Sequence, residues 1–263
     1  MQAQLQMKSL RYFIEIAYKG SSYHGWQRQP KSISVQEVVE KALSTLLRKD
    51  IAIVGAGRTD AGVHAIQIYA HFDFEEKWDS TQCAQLSFKL NRFLPQSIAV
   101  KDILPVKEDA HARFDATSRS YIYRLSREKN PFNSDQAYQV QYPLDVDAMN
   151  KAAERLIGRK DFQCFSRSNT DVKTYICDVS EAAWKEHNQE LVFRITADRF
   201  LRNMVRAVVG TLLEIGKGKY NPEHIDKVIQ SKDRGEAGFS VPAHGLYLIS
   251  VTYPKEIFIV NGR

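Results

Sequence analysis

Residues 55–64 (GAGRTDAGVH) concentrate residue types that can carry out chemistry. The glycines of this segment allow positive φ angles and a close approach of the backbone to a ligand. Arg58 and Asp60 lie two residues apart, so in an extended backbone both side chains point to one face, where the guanidinium can hold and orient the carboxylate. Such a carboxylate is suited to act as a nucleophile or base. The alternative is a glycine-rich hairpin with a surface salt bridge, and spacing alone leaves both hypotheses open.

Other kinds of site are disfavoured by spacing. A dinucleotide-binding loop would need glycine at position 60, where this chain has Asp60. The Gly-Lys-Ser/Thr sequence of a phosphate-binding loop is also absent, so we expect no nucleotide cofactor. His64 and His71, with Asp60 and Asp73, suggest a metal, but the two histidines are predicted to point to opposite faces, so we expect no metal. Cys83 follows an apolar helical pattern and is predicted to be a core thiol.

Basic and aromatic side chains are mixed in residues 23–29 (YHGWQRQ) and 113–127 (RFDATSRSYIYRLSR). We predict that the first segment is too polar and glycine-rich for the core. Such mixing suits RNA, because phosphates attract arginine and unstacked bases lie on aromatic rings. For Tyr121 and Tyr123 the alternative is that both rings fill one face of a strand, and we favour it for Tyr123.

The first half of the chain is predicted to alternate strands and helices. Ser34 has the spacing of a capping residue before an apolar helical pattern, and Asp79 or Ser80 is placed to cap a second helix. The order strand, helix, strand, strand, helix, strand predicts a ferredoxin-like unit. The predicted elements are strand 11–18, helix 35–49, strands 51–54 and 66–74, helix 81–93 and strand 98–106.

The second half is predicted to repeat this pattern. Arg202 and Arg206 are four residues apart on a predicted helix, opposite its apolar stripe, and form either a solvated face or a phosphate clamp. Two sheets side by side leave a groove, and grooves between domains commonly bind substrates. The predicted elements are strand 118–127, helix 145–157, strands 174–185 and 190–200, helix 201–215, a short helix after Pro222 and strand 246–253.

The composition indicates a folded protein. The 263 residues include 37 basic and 31 acidic side chains, which gives 37 − 31 = +6, and 43% are hydrophobic. These proportions are typical of globular chains and disfavour disordered or collagen-like ones. No apolar run approaches the roughly 20 residues of a membrane span, so we expect a soluble cytoplasmic protein. The three cysteines are widely spaced and predicted to be reduced, and the modest basic excess permits a nucleic-acid partner without proving one.

Residues 57–65 (GRTDAGVHA) resemble the signature of the tRNA pseudouridine synthase A family. Further blocks that resemble the family occur in the same order along nearly the whole chain, which makes the resemblance specific. Ile66 and Gln67 depart from the small or polar stretch that many members have after the signature. The further blocks are residues 23–29 (YHGWQRQ), 34–36 (SVQ), 111–114 (HARF), 200–206 (FLRNMVR) and 245–248 (GLYL).

The resemblance implies an enzyme that isomerises uridine to pseudouridine at positions 38, 39 and 40 of the tRNA anticodon arm, as a homodimer without cofactor or metal. It implies an α+β pseudouridine synthase fold with two ferredoxin-like (βαββαβ) halves, a mostly antiparallel sheet and a central RNA-binding cleft. The domains expected are an N-terminal tail (1–9), an N-terminal half with the catalytic loop (10–110), a C-terminal half (111–255) and a C-terminal tail (256–263).

Individual roles are implied by position in the matching blocks. Asp60 matches the catalytic aspartate and Arg58 the arginine paired with it. Tyr121 matches the tyrosine that stacks on the target base, Arg206 a basic residue of the active cleft, and Leu246 an apolar wall of the uracil pocket. The candidates for contacts to the tRNA backbone are Arg28, Arg119, Arg202, Lys217 and Lys219.

Two other classes of protein compete with this interpretation. A non-catalytic RNA-binding module would keep the basic and aromatic segments and would not need Asp60. A metal-dependent phosphoester hydrolase would need an Asp/His cluster, which the sequence does not assemble. The presence of both Arg58 and Asp60 favours the synthase.

Overall fold

The computed structural model describes residues 9–167, 172–187 and 190–259. Within them the chain is α+β, with five α-helices and ten strands that pair mostly antiparallel, which confirms the predicted class. The described residues form two compact units, the first from 9–117 and 251–259 and the second from 118–250. Residues 1–8 and 260–263 of the predicted tails lie outside the described residues.

These units differ from the division expected from the sequence, which assigned residues 111–117 and 251–255 to the other half. The reason is a set of hydrogen bonds inside the first unit. The Thr117 N–H donates to the Thr252 carbonyl at 2.9 Å, and the Tyr253 hydroxyl donates to the Ala112 carbonyl at 2.6 Å. The last described segment therefore returns to the first unit.

The first unit contains the predicted order of strands and helices. Its strands lie in the order β4-β1-β3-β2 and are antiparallel. The predicted strand 51–54 is the least accurate, because only its last residue is in a strand. The elements are β1 (Leu10–Tyr18), α1 (Val35–Leu47), β2 (Val54–Gly55), β3 (His64–Phe74), α2 (Ser80–Phe93) and β4 (Ile98–Val106).

Both helices of the first unit begin at the predicted caps. Ser34 Oγ accepts a hydrogen bond from the Glu37 N–H at 3.3 Å, and Asp79 forms a complete capping box with Gln82. Such caps satisfy N–H groups that have no partner within the helix. Helix α1 ends where Arg48 adopts a left-handed conformation with φ of 55°.

The sheet of the first unit is buried on both faces. On one face, β1 contributes Tyr12, Ile14 and Ile16, all at most 1% exposed, and these pack with apolar residues of β3 and Trp78. On the other face, the Phe13 ring lies 5.1 Å from Tyr253, between ring centroids. The first unit therefore has a core on each side of β1.

The second unit has a similar alternation with additional short strands. Its strands lie in the order β10-β5-β9-β8-β7, and β6 pairs with β5. Strands β6 and β7 were not predicted. The elements are β5 (Ser118–Ser126), β6 (Tyr138–Gln139), α3 (Val146–Glu154), β7 (Gly158–Asp161), β8 (Ile176–His187), β9 (Glu190–Ala197), α4 (Met204–Gly216), α5 (His224–Ser231) and β10 (Leu246–Thr252).

The prediction that Arg202 and Arg206 share one helical face is wrong. Helix α4 begins at Met204, and Asn203 before it has a φ of 68°, a left-handed conformation that an α-helix does not continue through. Arg202 therefore lies outside the helix, and its carbonyl accepts a hydrogen bond from the Arg167 N–H at 3.0 Å.

All three cysteines are buried free thiols. Burial raises the pKa of Cys83 to about 11 and those of Cys164 and Cys177 to about 12. These thiols are therefore protonated at neutral pH. The burial of Cys83 confirms the prediction that it is a core thiol. Among the described residues, no helix has the length and apolar character needed to cross a bilayer.

His71 lies in the core on the Phe13 side of the first unit. Its Nδ1 accepts a hydrogen bond from the Ala112 N–H at 3.1 Å, and its ring centroid is 4.6 Å from that of His111. Burial, reinforced by Arg11 and His111, lowers the pKa of His71 to about 4. Asp73 and Asp115 oppose this shift only in part.

We expect the stability of the protein to fall as the pH drops from 6.5 towards 4. In that range the unfolded chain binds a proton on His71 and the folded chain does not, which corresponds to about 3 kcal/mol for this group. His71→Asn keeps an acceptor for Ala112 but does not titrate, so its free energy of unfolding should lose about 3 kcal/mol less. Urea unfolding at intervals of pH measures this difference, and parallel pH curves for the two proteins would contradict it.

Candidate functional site

Asp60 lies in the loop between β2 and β3, at the start of a tight turn. The Val63 N–H donates to the Asp60 carbonyl at 3.2 Å, and Gly62 has a φ of 80°, which is the position where a type II turn requires glycine. Asp60 is half-buried, whereas Arg58 is exposed. The turn therefore fixes the backbone that carries the Asp60 carboxylate.

Hydrogen bonds from an earlier loop hold this segment on its other side. The Thr59 carbonyl accepts from the Trp26 N–H at 3.3 Å, and Thr59 Oγ1 is 2.8 Å from the Tyr18 hydroxyl. The Gly62 N–H donates to the Tyr23 carbonyl at 3.3 Å. The residues on both sides of Asp60 are thus bound to the segment that follows β1.

The prediction that residues 23–29 are too polar for the core is wrong for their two large rings. Tyr23 is 7% and Trp26 1% exposed. Gly55 makes this possible, because a Cβ atom there would lie 2.3 Å from Trp26 Nε1. The Tyr23 hydroxyl in turn is 2.7 Å from Ser97 Oγ. The rings support the Asp60 loop from inside the unit.

The two histidines of β3 are occupied by backbone donors. His64 Nδ1 accepts from the Gly20 N–H at 3.0 Å, and His71 Nδ1 accepts from the Ala112 N–H at 3.1 Å. Each imidazole therefore fixes a distant backbone segment to β3.

Arg58 is held by an amide side chain of the earlier loop. Its Nε donates to Gln27 Oε1 at 3.2 Å, and the expected pairing of Arg58 with Asp60 stays a prediction. Arg58 also borders a pocket of about 190 Å³. The pocket is lined by Trp26, Gln27, Gln36, Ile53, Val54, Gly55, Gly57, Arg58 and Arg113.

Two other basic residues of the first unit lie at the surface. The Arg28 side chain is 64% exposed, with Nη1 3.6 Å from Glu40 Oε2. The Arg113 guanidinium lies over the ring of Phe114, 5.7 Å from its centroid, and Phe114 is 73% exposed. A cationic group and an aromatic ring therefore lie together at the surface, as the mixed composition of residues 113–127 predicts.

In the second unit, Tyr121 and Tyr123 have different environments. Tyr121 is half-buried on β5, with its ring edge-on to Phe200 at 5.1 Å between centroids. Tyr123 is fully buried, and its hydroxyl donates to the Pro242 carbonyl at 2.8 Å. The preference for Tyr123 as a core residue is confirmed.

Arg206 and Leu246 are both held within the second unit. Arg206 Nε donates to the Val241 carbonyl at 2.7 Å, and the Val241 N–H donates back to the Arg206 carbonyl at 3.3 Å. Leu246 is 6% exposed at the start of β10. The guanidinium and this apolar side chain are thereby fixed in place.

The remaining basic candidates differ in their environments. Arg119 Nη1 donates to the Asp198 carbonyl at 2.7 Å, and Arg202 is exposed. Lys217 and Lys219 both pair with Glu214, at 3.2 and 3.0 Å from its two carboxylate oxygens. The charge of this lysine pair is therefore partly offset.

The structure places Arg28, Arg58 and Asp60 in the first unit and the other seven candidates in the second. Of these ten residues, Arg28 and Arg58 are linked through Gln27 and Gln36. Sequence reasoning missed these two glutamines, together with Glu40. Gln27 and Gln36 lie in the blocks that resemble the family, residues 23–29 and 34–36, but neither had been given a role, and the only signal for Glu40 was its i, i+4 spacing from Gln36.

The chain is similar to known proteins over nearly its whole length. A family model described as "tRNA pseudouridine synthase" matches residues 15–115 and 152–254. A tRNA pseudouridine synthase A of Bacteroides fragilis is 52% identical over 254 residues, covering 96% of this chain and 100% of that protein. Another, of Bacteroides thetaiotaomicron, is 53% identical over 251 residues, covering 94% and 92%. A third, of Exiguobacterium sibiricum, is 38% identical over 245 residues, covering 93% and 97%.

Among solved structures, a chain of the "Crystal Structure of a Cbf5-Nop10-Gar1 Complex" has a TM-score of 0.34 and 10% identity, covering 90% of this chain and 57% of that one.

We expect Gly25→Ala to lower the free energy of unfolding by at least about 2 kcal/mol. Gly25 has a φ of 91°, and an added Cβ would lie 2.4 Å from the Thr59 carbonyl oxygen. Gly57→Ala is the matched control, because nothing lies within 4 Å of a Cβ there, and it should change stability by less than about 0.5 kcal/mol. Urea unfolding measures both, and equal effects would show that the close approach at Gly25 is unimportant.

Proposed function

Since this chain belongs to the tRNA pseudouridine synthase family, we propose that it isomerises uridine to pseudouridine at positions 38, 39 and 40 of the tRNA anticodon stem-loop, with Asp60 at the reacting centre. Membership of the family makes the chain an isomerase that acts on tRNA. The individual positions and residues are the part that we propose.

One observation carries the role of Asp60. The segment that resembles the family signature, residues 57–65, lies inside the region matched by the family model and is held by hydrogen bonds at Thr59, Asp60 and Gly62. A carboxylate on a fixed backbone needs little further ordering when substrate arrives, which favours catalysis. An RNA-binding module without activity would not need such a carboxylate.

The reaction requires few chemical groups. The N1–C1′ glycosidic bond breaks, the uracil turns while it stays bound, and C5 joins C1′. The C5 proton is lost and N1 takes up a proton, so the product is an isomer of the substrate. A carboxylate close to the ribose serves as nucleophile or base for these steps, in a site that excludes water. Asp60 supplies this group, and Arg58 orients it.

The target nucleotide has to leave its stack before it reacts. Enzymes that act on a base in a helical stem flip the nucleotide out, and an aromatic ring replaces the lost stacking. We assign this stacking to Tyr121, whose ring is supported by Phe200. Leu246 forms the apolar wall for uracil, and Arg206 is a basic residue of the active cleft.

Contacts to the tRNA backbone need exposed positive charge. We assign them to five residues, among which Lys217 and Lys219 are the weaker candidates because they share Glu214. Arginine suits this role because its planar guanidinium can bind a phosphate with two hydrogen bonds. The five residues are Arg28, Arg119, Arg202, Lys217 and Lys219.

We further propose that both units are ferredoxin-like halves of a pseudouridine synthase fold, and that the enzyme is a cytoplasmic homodimer that needs no cofactor or metal. The strand orders β4-β1-β3-β2 and β10-β5-β9-β8 support the first part. In the first order β1 lies between β4 and β3, and in the second β5 lies between β10 and β9, so the two units share one arrangement of four strands. The similarity to the family supports the rest.

We expect Asp60→Asn to lower single-turnover pseudouridine formation at least about a thousandfold, because the side chain keeps its shape and loses the ionised oxygen. Release of tritium from tRNA labelled at C5 of uridine measures the reaction, and filter binding should give a tRNA affinity within about threefold of wild type, a small change on the free-energy scale. Asp50→Asn, which removes the same charge from an exposed site, should stay fully active. Retained turnover in Asp60→Asn would overturn its role.

We expect Tyr121→Leu to weaken tRNA binding by roughly 5- to 150-fold, which corresponds to the loss of about 1 to 3 kcal/mol of stacking. Tyr121→Phe keeps the ring and should bind nearly as tightly as wild type. Equal losses for the two variants, measured by filter binding, would assign the contribution to the hydroxyl instead.

A further inference from the structure

Arg58 is exposed, yet its guanidinium has a defined acceptor. Gln27 Oε1 accepts from Arg58 Nε at 3.2 Å, and the same amide donates through Nε2 to Gln36 Oε1 at 2.9 Å. Gln36 in turn donates through Nε2 to Glu40 Oε1 at 2.9 Å. Three side chains therefore connect α1 to Arg58 in series.

We infer that Glu40, Gln36 and Gln27 form a hydrogen-bond relay that positions Arg58 for the isomerisation. These three residues, called the α1 relay below, are positioning residues and not catalytic ones. The inference rests on the proposed function, because it takes Arg58 to act beside Asp60.

Only one orientation of the two glutamine amides satisfies every hydrogen bond of the relay. A carboxylate only accepts and a guanidinium only donates, whereas an amide does both at different ends. Glu40 at one end requires Nε2 of Gln36 to face it, so Oε1 of Gln36 faces outward. That oxygen requires Nε2 of Gln27, which turns Oε1 of Gln27 towards Arg58. Reversing either amide would place donor against donor or acceptor against acceptor.

Backbone groups fix the buried end of the relay. The Ile53 N–H donates to Glu40 Oε1 at 3.1 Å, and the Ile53 carbonyl accepts from Gln36 Nε2 at 3.0 Å. The Arg28 N–H donates to Gln36 Oε1 at 3.0 Å, so both ends of the Gln36 amide have two partners. Glu40 is only 9% exposed. These bonds hold the relay against rotation and join it to the residue just before β2.

The relay matters because arginine has a long side chain with many rotamers. A hydrogen bond at Nε uses one of the five donors of the guanidinium and leaves the two terminal nitrogens for Asp60 and the substrate. Arg58 is thereby aligned before tRNA binds. Loss of the alignment should lower the rate of the chemical step more than the affinity for tRNA.

A double-mutant cycle tests the relay. Gln27→Met keeps the length of the side chain and removes both hydrogen bonds, and we expect a loss of about tenfold in single-turnover rate, the size of one hydrogen bond to a charged group. The affinity for tRNA should change less than twofold. In an Arg58→Ala background, the same Gln27→Met change should have no further effect on the rate, because Gln27 acts on the reaction only through Arg58.

The matched control is Gln29→Met on the same loop. Gln29 donates one hydrogen bond to the His24 carbonyl at 2.7 Å and is not part of the relay. The single-turnover rate of Gln29→Met should therefore stay within twofold of wild type. Thermal unfolding midpoints of Gln27→Met and Gln29→Met should both lie well above the assay temperature, which separates a loss of alignment from a loss of folding.

The outcomes separate the relay from the proposed function. An equal rate loss from Gln27→Met with and without Arg58, or no loss with Arg58 present, would overturn the relay. An Arg58→Ala variant as active as wild type would overturn the role of Arg58 itself. Loss of activity in Asp60→Asn together with additive effects at Gln27 and Arg58 would leave the function in place and remove the relay alone.

Discussion

The close approach of two loops in the first unit is the constraint on which the candidate site depends. Gly25, with its positive φ, allows the backbone to pass close to the Thr59 carbonyl, and the neighbouring Trp26 N–H then donates to that carbonyl. Gly55 allows the Trp26 ring to pack under the same segment. A side chain at either glycine would separate the loops, so the position of the backbone that carries Asp60 depends on two residues that carry no chemistry themselves.

The strand after the loop is fixed as firmly as the loop. His64 accepts from the Gly20 N–H and His71 from the Ala112 N–H, so each end of β3 is bound to a different part of the first unit. Histidines near aspartates in a sequence suggest a metal or an acid–base pair. In this strand both histidines accept hydrogen bonds from backbone N–H groups that would otherwise be buried without partners. Each histidine therefore has a structural role in β3.

Local patterns predicted most of the fold, and contacts between distant segments account for what they missed. The helices capped by Ser34 and Asp79 follow from spacing within a few residues of each cap. The burial of Trp26 depends on Gly55, and the left-handed Asn203, which removes Arg202 from its predicted helix, has no periodic signal. Asp60 and Arg58 were found by residue type and spacing. The α1 relay depends on contacts of Gln27 and Ile53 with α1, and no local spacing indicates such contacts.

Asp60 and Arg58 lie two residues apart but are fixed by different means, and their side-chain lengths explain why. An aspartate carboxylate is close to its backbone, so a turn and a few backbone hydrogen bonds fix its position, and the proposed pairing with Arg58 sets its orientation. An arginine guanidinium is separated from its backbone by a flexible chain, so a rigid loop leaves it free to rotate. Only an acceptor at the far end can align it. Such an acceptor has to come from another segment, which is the place that Gln27 occupies through Gln36 and Glu40.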